Sequence, residues 1–302
     1  MVAERISFLP VEIVLDGPVL AVDIGGTKVA VGVVAADGEV LCQRRGPSQA
    51  ADEEALFTLI VELAREVLEE HSQPVSVCGV GSGGPSRDNH RLLSPLNIAV
   101  WRDFPLRDRL SEALGMPAVV DNDAKALALA EGWVGGAVGE DNYLAMVVST
   151  GIGGGIVLNG QLLDGADGNA GHIGHIFVAE GGRADAAGAV GLLEGQASGT
   201  AIADLLDGIA PADAPVEMRR RVGTLVGRGV GSVANLLDLR LAVAGGSVAL
   251  GYGDDFFDAA QAEIDRVCRL VHSQGARILP SPLGADGGLI GAAAVAGRAR
   301  AD

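Results

Sequence analysis

Short apolar runs of strand length alternate along the chain with amphipathic stripes of helical spacing, and the alternation runs twice. Pro18-Val-Leu-Ala-Val22 is one such run; Asp23-Ile-Gly-Gly-Thr-Lys28 follows, then a second run from Val29 to Val34. Ala36-Asp37-Gly38 carries the Asp-Gly signal of a hairpin, which makes Glu39 to Arg44 a third strand. From Asp52 to Glu70, Leu56, Leu59, Ile60, Leu63 and Leu68 recur at helical spacing with Glu and Arg between them. Val75 to Val80 reads as another strand, Gly81 to Asn89 as a loop, and Leu106 to Leu114 as a short helix. Pro117-Ala-Val-Val120 is a strand that runs directly into Asp121-Asn122-Asp123, and a helix over Ala124 to Glu131 begins at once.

The order then recurs. Tyr143 to Val148 is a buried strand, Ser149-Thr-Gly-Ile-Gly-Gly-Gly155 a glycine-rich turn, and Ile156 to Leu158 a strand. Asn159-Gly160 turns the chain into Gln161-Leu-Leu163. Strand, Gly/Thr turn, strand, turn, strand describes a duplicated βββαβα unit whose copies share little identity. Gly165 to Gly199 is a long loop rich in Gly and Ala that holds His172, His175 and Glu194. Helices are expected over about 200–207, 215–238 and 255–277, with a last one from Gly288 to Arg300. Arg240 to Ala244 is a strand ending at Gly245-Gly-Ser247. The expected division is a first α/β domain over residues 1–120, a larger α/β domain over 121–286, and a terminal helix, 287–302, that returns to the first.

Three junctions have more polar residues than their geometry needs. A helix start needs one capping side chain, yet Asp121, Asn122 and Asp123 all sit at the strand-to-helix edge where α/β sheets bind ligands. That makes Asp123 a candidate for chemistry. In Asp23-Ile-Gly-Gly-Thr-Lys28 the glycines let backbone amides approach phosphate oxygens, with Gly25, Gly26, Thr27 and Lys28 as the contacts. Asp23 is then placed to hold Mg²⁺ through water. A plain hairpin needs neither Asp23 nor Lys28. Thr150 and Gly151 offer the same device in the second half, and Gly245-Gly246 allows a flat adenosine to lie on the backbone. No P-loop motif is present. Gly79-Val-Gly-Ser-Gly-Gly84 matches a dinucleotide pattern, but no helix opens after it to receive a pyrophosphate. It reads instead as a close-approach loop over a small substrate. His172 and His175 could share a metal ion with Glu194, but no cysteine is near; hydrogen bonding to a polyhydroxylated ligand is the preferred reading.

Composition narrows the partners. The 302 residues carry 22 Lys and Arg against 39 Asp and Glu, a net charge of -17, with Lys28 and Lys125 the only lysines. Such a surface repels nucleic acid as a main partner while still permitting a locally held nucleotide. Cys42, Cys78 and Cys268 read as free thiols of a reducing compartment. Charges at Glu4, Arg5, Glu12 and Asp16 argue against a signal peptide, and no apolar run spans a membrane. The expectation is a soluble, cytoplasmic protein.

Taken together these residues resemble the ROK family (repressors, uncharacterised frames and sugar kinases) from about Val19 to Gly291-Ala-Ala-Ala294. Asp23-Ile-Gly-Gly-Thr-Lys28 is similar to the family's first phosphate motif, Thr150-Gly-Ile-Gly-Gly-Gly155 to its second, and Gly245-Gly246-Ser247 to its adenosine motif. Asn122-Asp123-Ala124 resembles the family's sugar site, whose aspartate is the catalytic base. Gly84-Pro85 and Asn97 fall where members contact the hexose, and Gly168 to His175 with Leu193-Glu194 fall on the family signature. The resemblance implies a two-lobed α/β protein of the actin-like ATPase (ribonuclease H-like) fold. It implies an ATP- and Mg²⁺-dependent kinase acting on the 6-hydroxyl of a hexose or amino-hexose such as glucose, glucosamine or kanosamine, and a homodimer. N-acetylmannosamine or N-acetylglucosamine as substrate, polyphosphate as donor, and a non-catalytic sugar sensor are the alternatives. A repressor would carry a DNA-binding domain ahead of this part, and only 22 residues precede Asp23.

Two departures stand out. His172 occupies a position where the family usually has Glu. The family's Cys-x-Cys-Gly-x-x-Gly-Cys zinc cluster, completed by the equivalent of His175, is here reduced to Asp185, Ala187 and Leu192. The expectation is a loop held by packing without structural zinc, with His175 released to bind sugar directly.

Overall fold

The computed structural model describes residues 13–185 and 187–301. The charged N-terminal stretch bearing Glu4, Arg5 and Glu12 lies outside the described residues.

In the first half, β1 (Val19–Ile24) pairs antiparallel with β2 (Lys28–Val34), and β2 with β3 (Val40–Pro47). Helix α1 (Glu53–Glu70) crosses over, capped by Asp52, whose Oδ1 accepts from the Ala55 amide at 2.8 Å. Its apolar stripe, Leu56, Ile60, Leu63 and Val67, buries against the sheet. Strand β4 (Cys78–Ser82) then pairs parallel with β1. A small hairpin of β5 (Ser86–Arg87) and β6 (Leu92–Leu93) comes next, then α2 (Leu106–Leu114) and β7 (Ala118–Asn122), parallel to β4. The sheet order is β3-β2-β1-β4-β7.

Helix α3 (Asp123–Val134) leads into a second sheet of the same order, β10-β9-β8-β11-β12. Its strands are β8 (Tyr143–Val148), β9 (Ile152–Leu158), β10 (Gln161–Leu162), β11 (Leu241–Gly245) and β12 (Arg277–Pro280). The stretch between β10 and β11 holds α4 (Leu193–Ala197), α5 (Gly199–Leu205) and α6 (Val216–Leu237). Between β11 and β12 lie α7 (Ser247–Tyr252) and α8 (Asp254–Val267); α9 (Gly287–Ala301) closes the chain. The last helix packs on β1, β4 and β7 of the first sheet and on α3. Helix α3 touches both sheets, and Ala126, Ala128 and Leu129 share a core with Tyr143 and Ala145 of β8 and with Ala294 and Val295 of α9.

Three elements differ from the sequence reading. The helix expected over 255–277 ends at Val267; the chain then turns, with Gly275 at φ 79°, and forms β12. Ile278 and Leu279 pair with Ala242 and Val243, a partner no local pattern reveals. The triglycine, expected in the turn, lies in the strand: Gly153, Gly154 and Gly155 are all within β9. A Cβ at Gly155 would fall 2.7 Å from that of Ala128 and 2.8 Å from the Lys125 Cα, so Gly153 and Gly155 bring α3 against one face of the sheet, while Gly154 makes room for Ile173 on the other. Strand β7 also runs on through Asp121 and Asn122, which puts all three polar junction residues in different surroundings. Among the described residues no helix is long and apolar enough to cross a membrane.

Candidate active site

A cleft of about 520 Å³ opens between the sheets. Every site residue named from the sequence lines it: Asp23, Gly25, Gly26, Thr27 and Lys28; Thr150 and Gly151; Gly245 and Gly246; and Gly84, Asn97, Asn122, Asp123, His172, His175 and Glu194. The two glycine turns are brought together across Asn97. A Cβ at Gly26 would lie 2.8 Å from that of Asn97; one at Gly151 would lie 3.1 Å from Asn97 Nδ2 and 2.8 Å from Glu194 Oε2.

At the β7–α3 junction the three polar residues divide the work. Asn122 caps α3, its Oδ1 accepting from Ala124 N at 3.0 Å and Lys125 N at 3.3 Å. Its Nδ2 remains directed toward Gly84, 3.4 Å from where a Cβ would stand. Asp123 Oδ1 accepts from the Ala124 amide at 2.8 Å, and the carboxyl faces the cleft. Burial raises its pKa from 3.8 to about 6, and the nearby Glu194 carboxylate adds to the rise. Asp121 turns away from the cleft into a buried cluster of ionisable groups.

Across the cleft, Asp23 sits at the end of β1. Burial, then repulsion from Asp123, lifts its pKa from 3.8 to about 7, against the pull of Lys28 and Arg45. Two carboxyls that resist ionising together face one space, and a divalent cation there would relieve both. Asp23 therefore fits Mg²⁺ held through water. From the sequence the last helix is expected to start at Gly288 but with no part in the site; Gly287 and Gly288 line the cleft, and any Cβ at Gly288 would collide with the Asp23 carboxyl. The Gly-Gly pair at a helix start was the available signal.

Glu194, in the first turn of α4, accepts from the Ile152 amide at 2.8 Å and so ties the signature loop to β9. His172 stacks edge-on against His175, ring centroids 5.8 Å apart. Burial, then the neighbouring His175 and Lys125, lowers the His172 pKa, which keeps its imidazole neutral and able both to donate and to accept.

The loop expected to be held by packing alone is held by a carboxylate. The Asp185 side chain is 0% exposed, its Oδ1 accepts from the Ala187 and Ala189 amides at 2.9 Å, and its Oδ2 lies 3.3 Å from His175 Nε2. His175 lines the cleft with its Nε2 beside that carboxylate. One imidazole and one carboxylate do not make a tetrahedral soft set for zinc, and among the described residues no cluster of three His, Cys, Asp or Glu is placed to hold a metal ion.

The model of the ROK family matches residues 19–299. The glucokinase of Halalkalibacterium halodurans is 32% identical over 307 residues, covering 90% of this chain and 92% of that protein. The N-acetylmannosamine kinase of Escherichia fergusonii is 36% identical over 251 residues, 78% of this chain and 84% of that one. Among solved structures, a ROK family glucokinase from Streptomyces griseus in complex with glucose and AMPPNP superposes with a TM-score of 0.82 at 30% identity, covering 92% of this chain and 98% of that one.

Proposed function

The chain belongs to the ROK family, with the actin-like ATPase fold, and is a sugar kinase; on that premise we propose that Asp123 is the base for transfer of the ATP γ-phosphate to the 6-hydroxyl of a hexose or amino-hexose. The observation that carries this reading is the Asp123 carboxyl, placed in the cleft at the start of α3 and held near pKa 6 by burial. A base of that strength is ionised at neutral pH yet binds a proton readily, as general-base work requires.

The primary hydroxyl gives its proton to Asp123 as its oxygen attacks the γ-phosphorus in line, and ADP leaves with the electrons of the broken P–O bond. Asp23 is the residue to hold Mg²⁺, which when bound supplies charge neutralisation on the phosphates. Lys28, the Thr150 hydroxyl and the amides of Gly26, Thr150 and Gly151 grip the phosphate chain, Gly25 closing the first turn on Lys28, and Gly245-Gly246 lies against the adenosine. Asn97, Asn122, Glu194, His172 and His175 fix the sugar hydroxyls, with Gly84 leaving room for the ring. A neutral His172 presents one donor and one acceptor where a carboxylate would only accept, so the hydroxyl or amine at that position is read differently from a site built on two acids.

Asp123→Asn is expected to lower kcat by roughly 10²–10⁴-fold while sugar still raises the melting temperature. In the parent, log kcat/KM should begin to fall below about pH 7, where Asp23 takes a proton, and fall more steeply below about pH 6, where Asp123 does. Near-parental turnover by Asp123→Asn sinks the assignment. A coupled ADP-release assay over glucose, glucosamine, kanosamine and N-acetylmannosamine selects the sugar; the N-acetylated reading has its own support in the similarity to N-acetylmannosamine kinases. We further propose that the 176–192 loop works without zinc, the His175–Asp185 pair serving as its clasp. Elemental analysis returning one tightly held zinc per chain would overturn that.

A further inference from the structure

Beside the cleft, outside its lining, a string of ionisable groups joins four segments, with Lys125, Asp121 and His90 buried and Asp164 half exposed. Lys125, on α3, is 1% exposed. Its ammonium donates to Asp164 Oδ1 at 2.7 Å and to the Gly168 carbonyl oxygen at 3.1 Å, and pairs with Asp121 Oδ1 at 2.9 Å. Asp121 also takes the Asn122 amide at 2.7 Å and lies 3.1 Å from His90 Nε2, whose Nδ1 is 2.8 Å from Ser86 Oγ. Asn169 grips the Ser86 backbone twice, at 3.0 and 2.9 Å. From α9, Arg298 clasps Asp164 with both terminal nitrogens, at 3.1 and 2.5 Å. Gly168 holds a φ of 81° with the His90 ring filling the space a side chain would need.

Such a set is a poor way to gain stability. Burying charges costs several kcal/mol per ion, and apolar residues of equal volume commonly do as well or better. What ion pairs at fixed distances do provide is register. This network fixes one loop against one turn. The turn is Asp121 to Lys125, with Asp123 at its centre. The loop is Asp164 to Asn169, which continues directly into His172 and His175.

We propose that Lys125 is a positioning residue for phosphoryl transfer: it bolts the sugar-facing loop onto the turn that carries Asp123, so that the hydroxyl held by the loop arrives within reach of the base. The inference rests on the assignment of Asp123 as that base. It accounts for a buried lysine in the first turn of an otherwise Ala- and Leu-rich helix, and for an aspartate, Asp121, aimed away from the cleft. Reacting atoms displaced by about 1 Å can cost on the order of 10²-fold in rate, and a slipped loop moves the hydroxyl relative to Asp123 by such amounts.

The test uses the full chain, with glucose and the other sugars of the panel and ATP each varied at saturation of the other, and melting temperature measured alongside. Lys125→Met is expected to raise the sugar KM about tenfold and to lower kcat about ten- to hundredfold, with the ATP KM within about twofold of the parent. Asp164→Asn, whose carboxyl side chain is 46% exposed, should show the same split more weakly. The pair Asp121→Asn with Lys125→Met removes one charge of each sign; Arg298 loses the Asp121 carboxylate 3.6 Å from its Nη1 and keeps its shorter clasp on Asp164. It should regain melting temperature without regaining the sugar KM or kcat. If it regains all three, the lysine only neutralises charge and the proposal is overturned. It is equally overturned if Asp164→Asn and the double variant, both folded, keep sugar KM and kcat within about twofold of the parent; should Lys125→Met alone not fold, these two decide. Turnover by Asp123→Asn would instead remove the assignment of the base, so the two failures are distinguishable.

Discussion

The two halves of the molecule share one plan and put different chemistry on the same turn. Both sheets run in the order third, second, first, fourth, fifth strand, and both place a glycine turn between their first two strands. The first turn brings charge: Asp23 and Lys28 flank it, and Gly25 N closes it on the Lys28 carbonyl at 3.0 Å. The second, Ser149 to Gly151, is uncharged and is pinned from behind by α5. Gly199 N donates to Ser149 O at 2.7 Å, and Thr200 Oγ1 to Thr150 O at 3.0 Å. The halves differ most in the segment after the third strand. The first half has α1 alone there, while the second has the long stretch from Leu163 to Arg240 that supplies His172, His175 and Glu194. One copy of the unit has specialised in charge and the other in shape.

Removing a charge beside the first turn and a hydroxyl from the second tests that division. Asp23→Asn is expected to reduce kcat on the order of 10²-fold, the worth of a charged group in a site that stabilises developing charge, and to raise the Mg²⁺ concentration needed for half-maximal rate. Thr150→Ala should raise the ATP KM only roughly two- to tenfold, the worth of one neutral hydrogen bond, with the Mg²⁺ requirement unchanged. Equal losses from the two variants, or a Mg²⁺ effect at Thr150, would break the comparison.

How much of the molecule is legible in the sequence depends on the range of the forces involved. Asp23-Ile-Gly-Gly-Thr-Lys28 can be read because a phosphate turn is local: its donors, glycines and flanking strands lie within a dozen residues. The α1 stripe and the Asp52 cap are local for the same reason. β12 is hidden because Arg277-Ile-Leu-Pro280 is too short to carry a pattern and is made a strand by β11, 36 residues upstream at the Leu241–Arg277 pairing. The triglycine reads as a phosphate nest because small size has two uses, and only the approach of α3 to within van der Waals contact picks packing. Lys125 does carry a signal. It is one of two lysines, four residues after an aspartate, in a helix with no polar face on its buried side. Its other partners, Asp164 and Gly168, are about forty residues away and come close only through the β8–β9 hairpin. The loop's missing cysteines suggest a free His175; that Asp185 folds back on it depends on the Asp185–Ala189 turn, which no spacing rule covers.

The smallest effect expected from the charged turn is on stability, and its sign is the informative part. Asp23 has a pKa near 7 in the folded chain against an ordinary 3.8, burial being the main cause and Asp123 the second. Between about pH 4 and pH 7 the folded chain therefore binds more protons than the unfolded one, so this group lowers stability as pH rises through that window and leaves it unaffected below. Asp23→Asn removes the titration. The variant should come close to the parent's melting temperature near pH 4 and exceed it by on the order of 5 °C at pH 8, while Thr150→Ala shows no such growth with pH. Mg²⁺ with nucleotide should narrow the Asp23→Asn gain at pH 8, since the parent's carboxylate is then compensated. A gain of equal size at both pH values would mean that burial of Asp23 carries no ionisation penalty. The charged turn would then differ from its uncharged counterpart in contacts alone, and the functional division between the two halves would lose its physical basis.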